Sequence, residues 1–256
     1  MQALQIKAKN FSESSENKIH SDEIAQKYGF KGALVPGVAV YGYMVQPLVQ
    51  ALGQDWLASA TDSLRLLKPT YDGEVVDLRL SETEQGHKVE CYNPAQELLA
   101  VLNTTAAIEE PQHLTLNEGS DIKSTERVEI AWDTVHAGQR FAPWTFDITP
   151  EENARYTLEA IDSSPLYNEL AHPHLLLSLA NTCLVREYIM PTWIHVGSET
   201  THRKPLHVGD KIEIKATVED KWQKKGHEFI RIWISFWRGE ELTTDIMHTA
   251  IFKVAA

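Results

Sequence analysis

The chain repeats itself, and no other feature narrows its fold as much. "KPTYDGEVVDL" at Lys68 to Leu78 returns as "KPLHVGDKIEI" at Lys204 to Ile214, 136 residues later. Each copy reads as Lys-Pro, a Gly-containing turn and then an alternating strand. "GHKVECY" from Gly86 is matched by "GHEFIRI" from Gly226, and "ELLAVLNTTAAI" from Glu97 by "ELTTDIMHTAIF" from Glu241, at offsets of 140 and 144 residues. The order is kept and the drift is small, as short insertions at hairpin turns would produce. A period of this length means two copies of one structural unit. With 256 residues, each copy is long enough to bury a core.

One long apolar segment precedes the strands of each half. "GVAVYGYMVQPLVQALG", Gly37 to Gly53, is apolar nearly all round, the pattern of a helix wrapped by other structure. Pro47 lies inside it, and a kink or break is expected there because proline removes a helical hydrogen bond. "HPHLLLSLANTCLVREYIM", His172 to Met190, plays the same part in the second half. The leading prolines, Pro36 and Pro173, suit first helical positions. Each half therefore reads as a helix-bearing entry, a central helix and several antiparallel strands. The expected boundaries are 1–108 and 141–256, with 109–140 as a linker that drapes over the surface and carries a strand at "RVEIAW". Two such units pair about a pseudo-two-fold axis, sheet edge to sheet edge, which removes exposed edges.

Composition excludes several functions. With 36 acidic against 24 basic residues the formal charge is −12, so no general field attracts nucleic acid or anionic lipid. The opening "MQALQIKAKNFSESSEN" lacks an apolar core of signal-peptide length, and no stretch approaches the roughly 18–20 apolar residues of a membrane span. A cytoplasmic protein without membrane contact is expected. Cys91 and Cys183 stand alone and read as buried thiols. His172, His174 and His195 show no metal-ligand spacing, so neither metal nor cofactor is expected. "KWQKKGH", Lys221 to His227, reads as a solvated basic hairpin tip.

The chemistry-bearing stretch is "SENKIHSDEIAQKYGFKGALVPG", Ser15 to Gly37. It resembles the motif of MaoC-like (R)-specific enoyl-CoA hydratases, D-x-N-P-[IL]-H-x-D followed by Ala, Gly-Phe and a His-Gly that opens the central helix. Asn17, His20, Asp22, Ala25, Gly29, Phe30 and Gly37 match. Ser15 stands at the catalytic Asp position, Lys18 at the proline, and Pro36 at the His before the helix glycine. "AIDSSPLYNELA" shows a different decay in the second half, with Asp162, Ser164, Pro165, Leu166 and Tyr167 at the motif positions; the acid is kept and the histidine lost. The resemblance implies an α+β double hotdog, two central helices each wrapped by an antiparallel sheet, whose second repeat is non-catalytic and walls the acyl chain.

The resemblance also implies roles. Hydration of an unsaturated thioester needs a base for water, an acid for the α-carbon and donors for the enolate-like oxygen. His20 is the candidate base, Asn17 its support, and the Gly37 N–H at a helix N-terminus the candidate oxygen holder. Ser15 is protonated at working pH and does not replace a carboxylate. Glu13 and Glu16 are candidates for a relocated base, although the polar "SESSE" context favours solvated acids. Tyr41 is a candidate pocket residue and Tyr43, Tyr28 and Phe30 are neighbours, the two helix tyrosines reading first as core aromatics. Asp22 reads as a cap of "DEIAQKYG", in competition with Ser21. Asp162 is expected in a separate site. The leading function is hydratase/dehydratase chemistry on a CoA- or carrier-linked acyl thioester; the alternatives are a hotdog thioesterase, a non-catalytic acyl-CoA binder, and a structural or interaction role. The partner is then an acyl-CoA or acyl-carrier thioester, and the double unit also permits a homodimer.

Overall fold

The computed structural model describes residues 2–106, 108 and 126–255. Residues 109–125 of the expected linker lie outside the described residues.

The first half contributes β1 (Gln2–Lys7), a short α1 (Asp22–Lys27), the central α2 (Gly37–Leu52), and β2 (Ala60–Leu66), β3 (Val75–Thr83), β4 (Gly86–Tyr92) and β5 (Leu98–Thr105). After β6 (Val128–Glu129) the plan recurs: β7 (Trp144–Asp147), α3 (Pro150–Glu159), the central α4 (Pro173–Glu187), a two-residue β8 (Tyr188–Ile189), then β9 (Ile194–His202), β10 (Lys211–Lys224), β11 (His227–Arg238) and β12 (Glu241–Lys253). All strands except β6 and β8 join one ten-stranded sheet in the order β1-β3-β4-β5-β2-β9-β12-β11-β10-β7. That order is a palindrome of the repeat, with β2 and β9 at its centre, paired antiparallel from Ala60↔His202 to Arg65↔Gly197. The two halves are fused edge to edge, as the sequence repeat requires.

Both central helices are enclosed. In α2 every residue from Val38 to Val49 is buried, Tyr43, Met44, Val45 and Leu48 completely. Of the expected kink or break at Pro47, the break does not occur, and α2 runs on through the proline. A proline inside a helix costs about 3 kcal/mol, but burying a single Val, Leu or Met side chain returns about 1.5–3 kcal/mol, and α2 buries several. Pro36 is the residue before the helix, with extended ψ, whereas Pro173 occupies the first turn as expected. The apolar run after α4 ends early because Tyr188 and Ile189 leave the helix to pair, in parallel, with Val128 and Glu129. "RVEIAW" thus yields a two-residue strand.

At the seam a buried polar group ties helix to sheet. The Tyr41 hydroxyl donates to Asp62 Oδ2 at 2.8 Å, and His202 Nε2 lies 3.2 Å from the same oxygen. Asp62 comes from β2 and His202 from β9, so α2 is pinned to both sides of the junction. Among the described residues no helix is long and apolar enough to cross a membrane.

Gly197 sits where β9 meets β2, and a Cβ there would lie 2.8 Å from the Leu64 carbonyl oxygen. Gly197→Ala is therefore expected to lower stability by about 1–3 kcal/mol, read from the urea midpoint. An unchanged midpoint would show that the seam is looser than this packing.

Candidate functional site

Asn17 organises the site. Its Oδ1 caps the Ile19 N–H at the start of a 3-10 turn, Lys18–His20, and also accepts from Trp193 N at 3.2 Å. Its Nδ2 donates to Trp193 O at 2.9 Å and approaches His20 Nε2 at 3.3 Å. The Lys18 N–H donates to Pro191 O, so an N-terminal loop of the first half is stitched to the chain entering β9 of the second. Below the turn, Ile19, Ala25 and Leu34 form a small core with Phe30 against it. Gly29, at φ +82°, ends α1 in a conformation that favours glycine and returns Phe30 to that core.

His20 Nδ1 is 2.7 Å from the Leu34 carbonyl oxygen. A carbonyl only accepts, so Nδ1 carries the proton and Nε2 presents its lone pair toward Asn17. Burial lowers the imidazole pKa below its ordinary value, partly offset by the Leu34 bond. The ring is neutral at pH 7, a base whose hydrogen-bond partners among the described residues are a carbonyl and an amide.

Two cavities meet here. The apolar one, of about 230 Å³, is walled by Phe30, Leu34, Val40 and Leu66 from the first half and Ile194 and Ile251 from the second. The polar one, of about 430 Å³, includes Ser15, Arg155, Glu159, His174, Ser178 and Thr182. Asn17, His20, Pro36, Asn181 and Trp193 line both. Gly37 lines the apolar cavity, and its missing side chain is a geometric need: a Cβ would sit 2.3 Å from Leu66 Cδ1 and 3.0 Å from His195 Nδ1. The first-turn N–H groups of Gly37 and Val38 have no acceptor within the helix, whereas those of Ala39 and Val40 pair with Pro36 O.

The structure thus brings His20, Asn17 and Gly37 around the apolar cavity, while Ser15 and Glu16 border the polar cavity that His20 and Asn17 also line. Ser15 lines the polar cavity and its hydroxyl donates to Asn17 O at 3.2 Å. Glu16 is exposed and held by both guanidinium nitrogens of Arg127, at 3.2 and 2.7 Å, which keeps its carboxyl below the usual range. Glu13 is exposed and lines neither cavity. Tyr41 is the buried seam tie, with its hydroxyl pKa raised by burial and Asp62. Asp22 does not cap α1; its Oδ1 accepts from Ala33 N at 2.7 Å, and the Ser21 hydroxyl donates to Lys18 O. Asp162 borders a different cavity with Gln46 and Ser164. Tyr167, at the position matching His20, is buried against the His172 ring in an equivalent 3-10 turn.

Sequence reading missed the contribution of α4. His174, Ser178, Asn181, Thr182 and Val185 all line the polar cavity, an i, i+4, i+7, i+8, i+11 stripe on one helix face. The stripe was legible as polar residues interrupting an otherwise apolar helix. His195, weighed in the sequence only as a metal ligand, pairs instead with His248: their rings stack at 4.3 Å and share the Ser198 hydroxyl at 2.8 and 2.9 Å.

No protein-family model and no curated protein sequence matches the chain. Solved structures do. A MaoC domain protein assigned as a dehydratase, from Chloroflexus aurantiacus J-10-fl, aligns with a TM-score of 0.68 at 11% identity, over 98% of this chain and 94% of its own. A Mycobacterium tuberculosis protein of double hotdog fold gives 0.60 at 14% identity, over 98% and 96%. The fold is a double hotdog. A Lactobacillus plantarum protein assigned as an oleoyl thioesterase aligns at 0.56 and 7% identity over 99% of this chain and 96% of its own, so this double hotdog architecture spans neighbours of differing assigned chemistry.

Two outcomes follow from the site's packing. Asn17→Ala leaves Trp193 N and O without their partner, and a loss of about 1–3 kcal/mol for each buried group is expected in chemical denaturation; a neutral substitution would show that the loop is held by other contacts. Burial also lowers the pKa values of His20, His172, His248 and His195, the last to about 3. A histidine with a folded-state pKa below its unfolded value near 6.5 contributes fully above that pH and loses the contribution as pH falls toward the folded value. Unfolding free energy is expected to fall between pH 6.5 and 5 by about 1.4 kcal/mol per pH unit for each histidine that stays neutral. A flat profile in denaturant titrations at pH 7, 6 and 5 would refute this.

Proposed function

We propose that the protein acts on acyl thioesters as a hydratase or dehydratase, with His20 as its base. The observation that carries this is the tautomer and place of His20, with Nδ1 committed to Leu34 O and Nε2 presented at the junction of an apolar and a polar cavity. The apolar cavity, about 230 Å³ and walled by aliphatic and aromatic side chains, suits a short acyl chain. The wider polar cavity receives the carrier arm. The Gly37 N–H, with the dipole of α2 behind it, donates to the thioester oxygen where negative charge develops.

In hydration, His20 Nε2 takes a proton from water as the oxygen attacks the β-carbon, and the resulting imidazolium returns a proton to the α-carbon. A single group serves both steps when addition is to one face. Burial without a carboxylate makes the imidazolium short-lived, which favours its return of the proton. Asn17 keeps the ring in place. The similarity to a structure assigned as a dehydratase supports the reading.

Loss of the enoyl absorbance of crotonyl-CoA tests it. His20→Gln is expected to lower the rate by about 10²–10⁴-fold, whereas Ser15→Asp, which supplies a carboxylate at the polar cavity, is expected to raise it. No turnover by the unaltered protein, together with tight binding of crotonyl-CoA, would replace this reading with that of a non-catalytic acyl-thioester binder.

A further inference from the structure

We infer that the second repeat carries its own nucleophile, Ser178, activated by His174 and Glu159. Ser178 Oγ lies 3.3 Å from His174 Nδ1, and His174 Nε2 lies 3.2 Å from Glu159 Oε2. A carboxylate only accepts, so Nε2 carries the proton and Nδ1 is left to receive the hydroxyl proton of Ser178. This is the order of a serine–histidine–acid relay, recognised by geometry and roles rather than by chain position. The arrangement is held from all sides. The His174 side chain is 1% exposed, and its ring meets Tyr156 edge-on. Its backbone N–H donates to His172 Nδ1. The other oxygen of Glu159 is 3.6 Å from Arg155. A Cβ on Gly42 would lie 2.8 Å from Ala160 Cβ and 3.1 Å from His174 Cβ, so α2 packs directly on the relay.

Ser178 is the half-buried end that lines the polar cavity. Donors for an oxyanion line the same cavity. Val38 has a first-turn N–H, and the Asn181 side-chain NH2, three residues along the same face from Ser178, is a second donor group on a residue that borders the cavity.

The reaction is acyl transfer to Ser178 followed by hydrolysis. The Ser178 Oγ–H proton passes to His174 Nδ1 as the Oγ–acyl bond forms; the C–S bond breaks, and the thiolate leaves with that proton. Water then attacks the acyl-serine, gives its proton to His174 and frees the carboxylic acid, while Ser178 recovers its hydrogen from the imidazolium. Glu159 is a positioning residue. The thioester as substrate class rests on the function proposed above, whereas the nucleophile does not.

The full-length protein is treated with a fluorophosphonate ester and mapped by peptide mass spectrometry, and thiol release from hexanoyl-CoA is followed in parallel. An adduct on Ser178 is expected, with thiol release at least about 100-fold lower in Ser178→Ala. Glu159→Gln should slow labelling and Glu159→Asp should restore part of the rate, a rescue by the returned carboxylate that a purely structural role would not give. Labelling of the unaltered protein needs no variant to fold, and it is read on Ser178 whether or not enoyl hydration is found. Ser178 left unmodified, or thiol release equal in Ser178→Ala and the unaltered protein, overturns the inference.

Discussion

Six residue pairs between β2 and β9 hold the two halves in one sheet, and the rest of the molecule is arranged around them. Strands left unpaired at that edge would expose a row of backbone donors and acceptors from each half. Pairing them instead makes the sheet continuous and sets α2 and α4 side by side. The Tyr41–Asp62–His202 group reinforces the junction from the helix side, because a carboxylate buried at 1% exposure needs partners to be tolerated. The site depends on this seam too, since the chain at 191–193 that grips Asn17 leads directly into β9.

The site is unusual in how its histidine is supported. A carboxylate beside an imidazole raises its pKa and stabilises the charged form. His20 has a carbonyl and an amide instead, inside a buried setting that disfavours charge. Such a ring accepts a proton from a strong demand and gives it up readily. The neighbouring acids do not alter this, because Glu16 is committed to Arg127. The carboxylate of the polar cavity that does meet an imidazole is Glu159, and it belongs to the other repeat. The two halves therefore differ, the first carrying His20 on its entry loop and the second an acid on α3 that meets an imidazole and a hydroxyl on its central helix.

Much of the fold was legible because hydrophobic period and turn chemistry are local. Lys-Pro followed by a Gly turn marked β3 and β10, and the apolar runs marked α2 and α4. Pro47 misled as to a break, because its local cost was weighed without the enclosure that outweighs it. Asp22 misled in the same way: a residue at the start of a helix reads as a cap, yet a loop eleven residues on brings the Ala33 N–H to its oxygen. In the site, Asn17, His20 and Gly37 could be picked out by their resemblance to the MaoC-like motif, whereas the role of Tyr41 turned on Asp62 and His202, which only strand pairing brings to it.

The sequence by itself determined a duplicated unit, its central helices and most of its strands, and a loop bearing an amide, an imidazole and a helix-opening glycine. These follow from contacts within a few tens of residues. Only the tertiary structure decided that the crevice is shared by both halves, that Glu16 faces Arg127, and that α4 turns a polar face toward His20. Each of these rests on groups more than a hundred residues apart, whose meeting depends on strand register across the seam, and register is not written in any one segment.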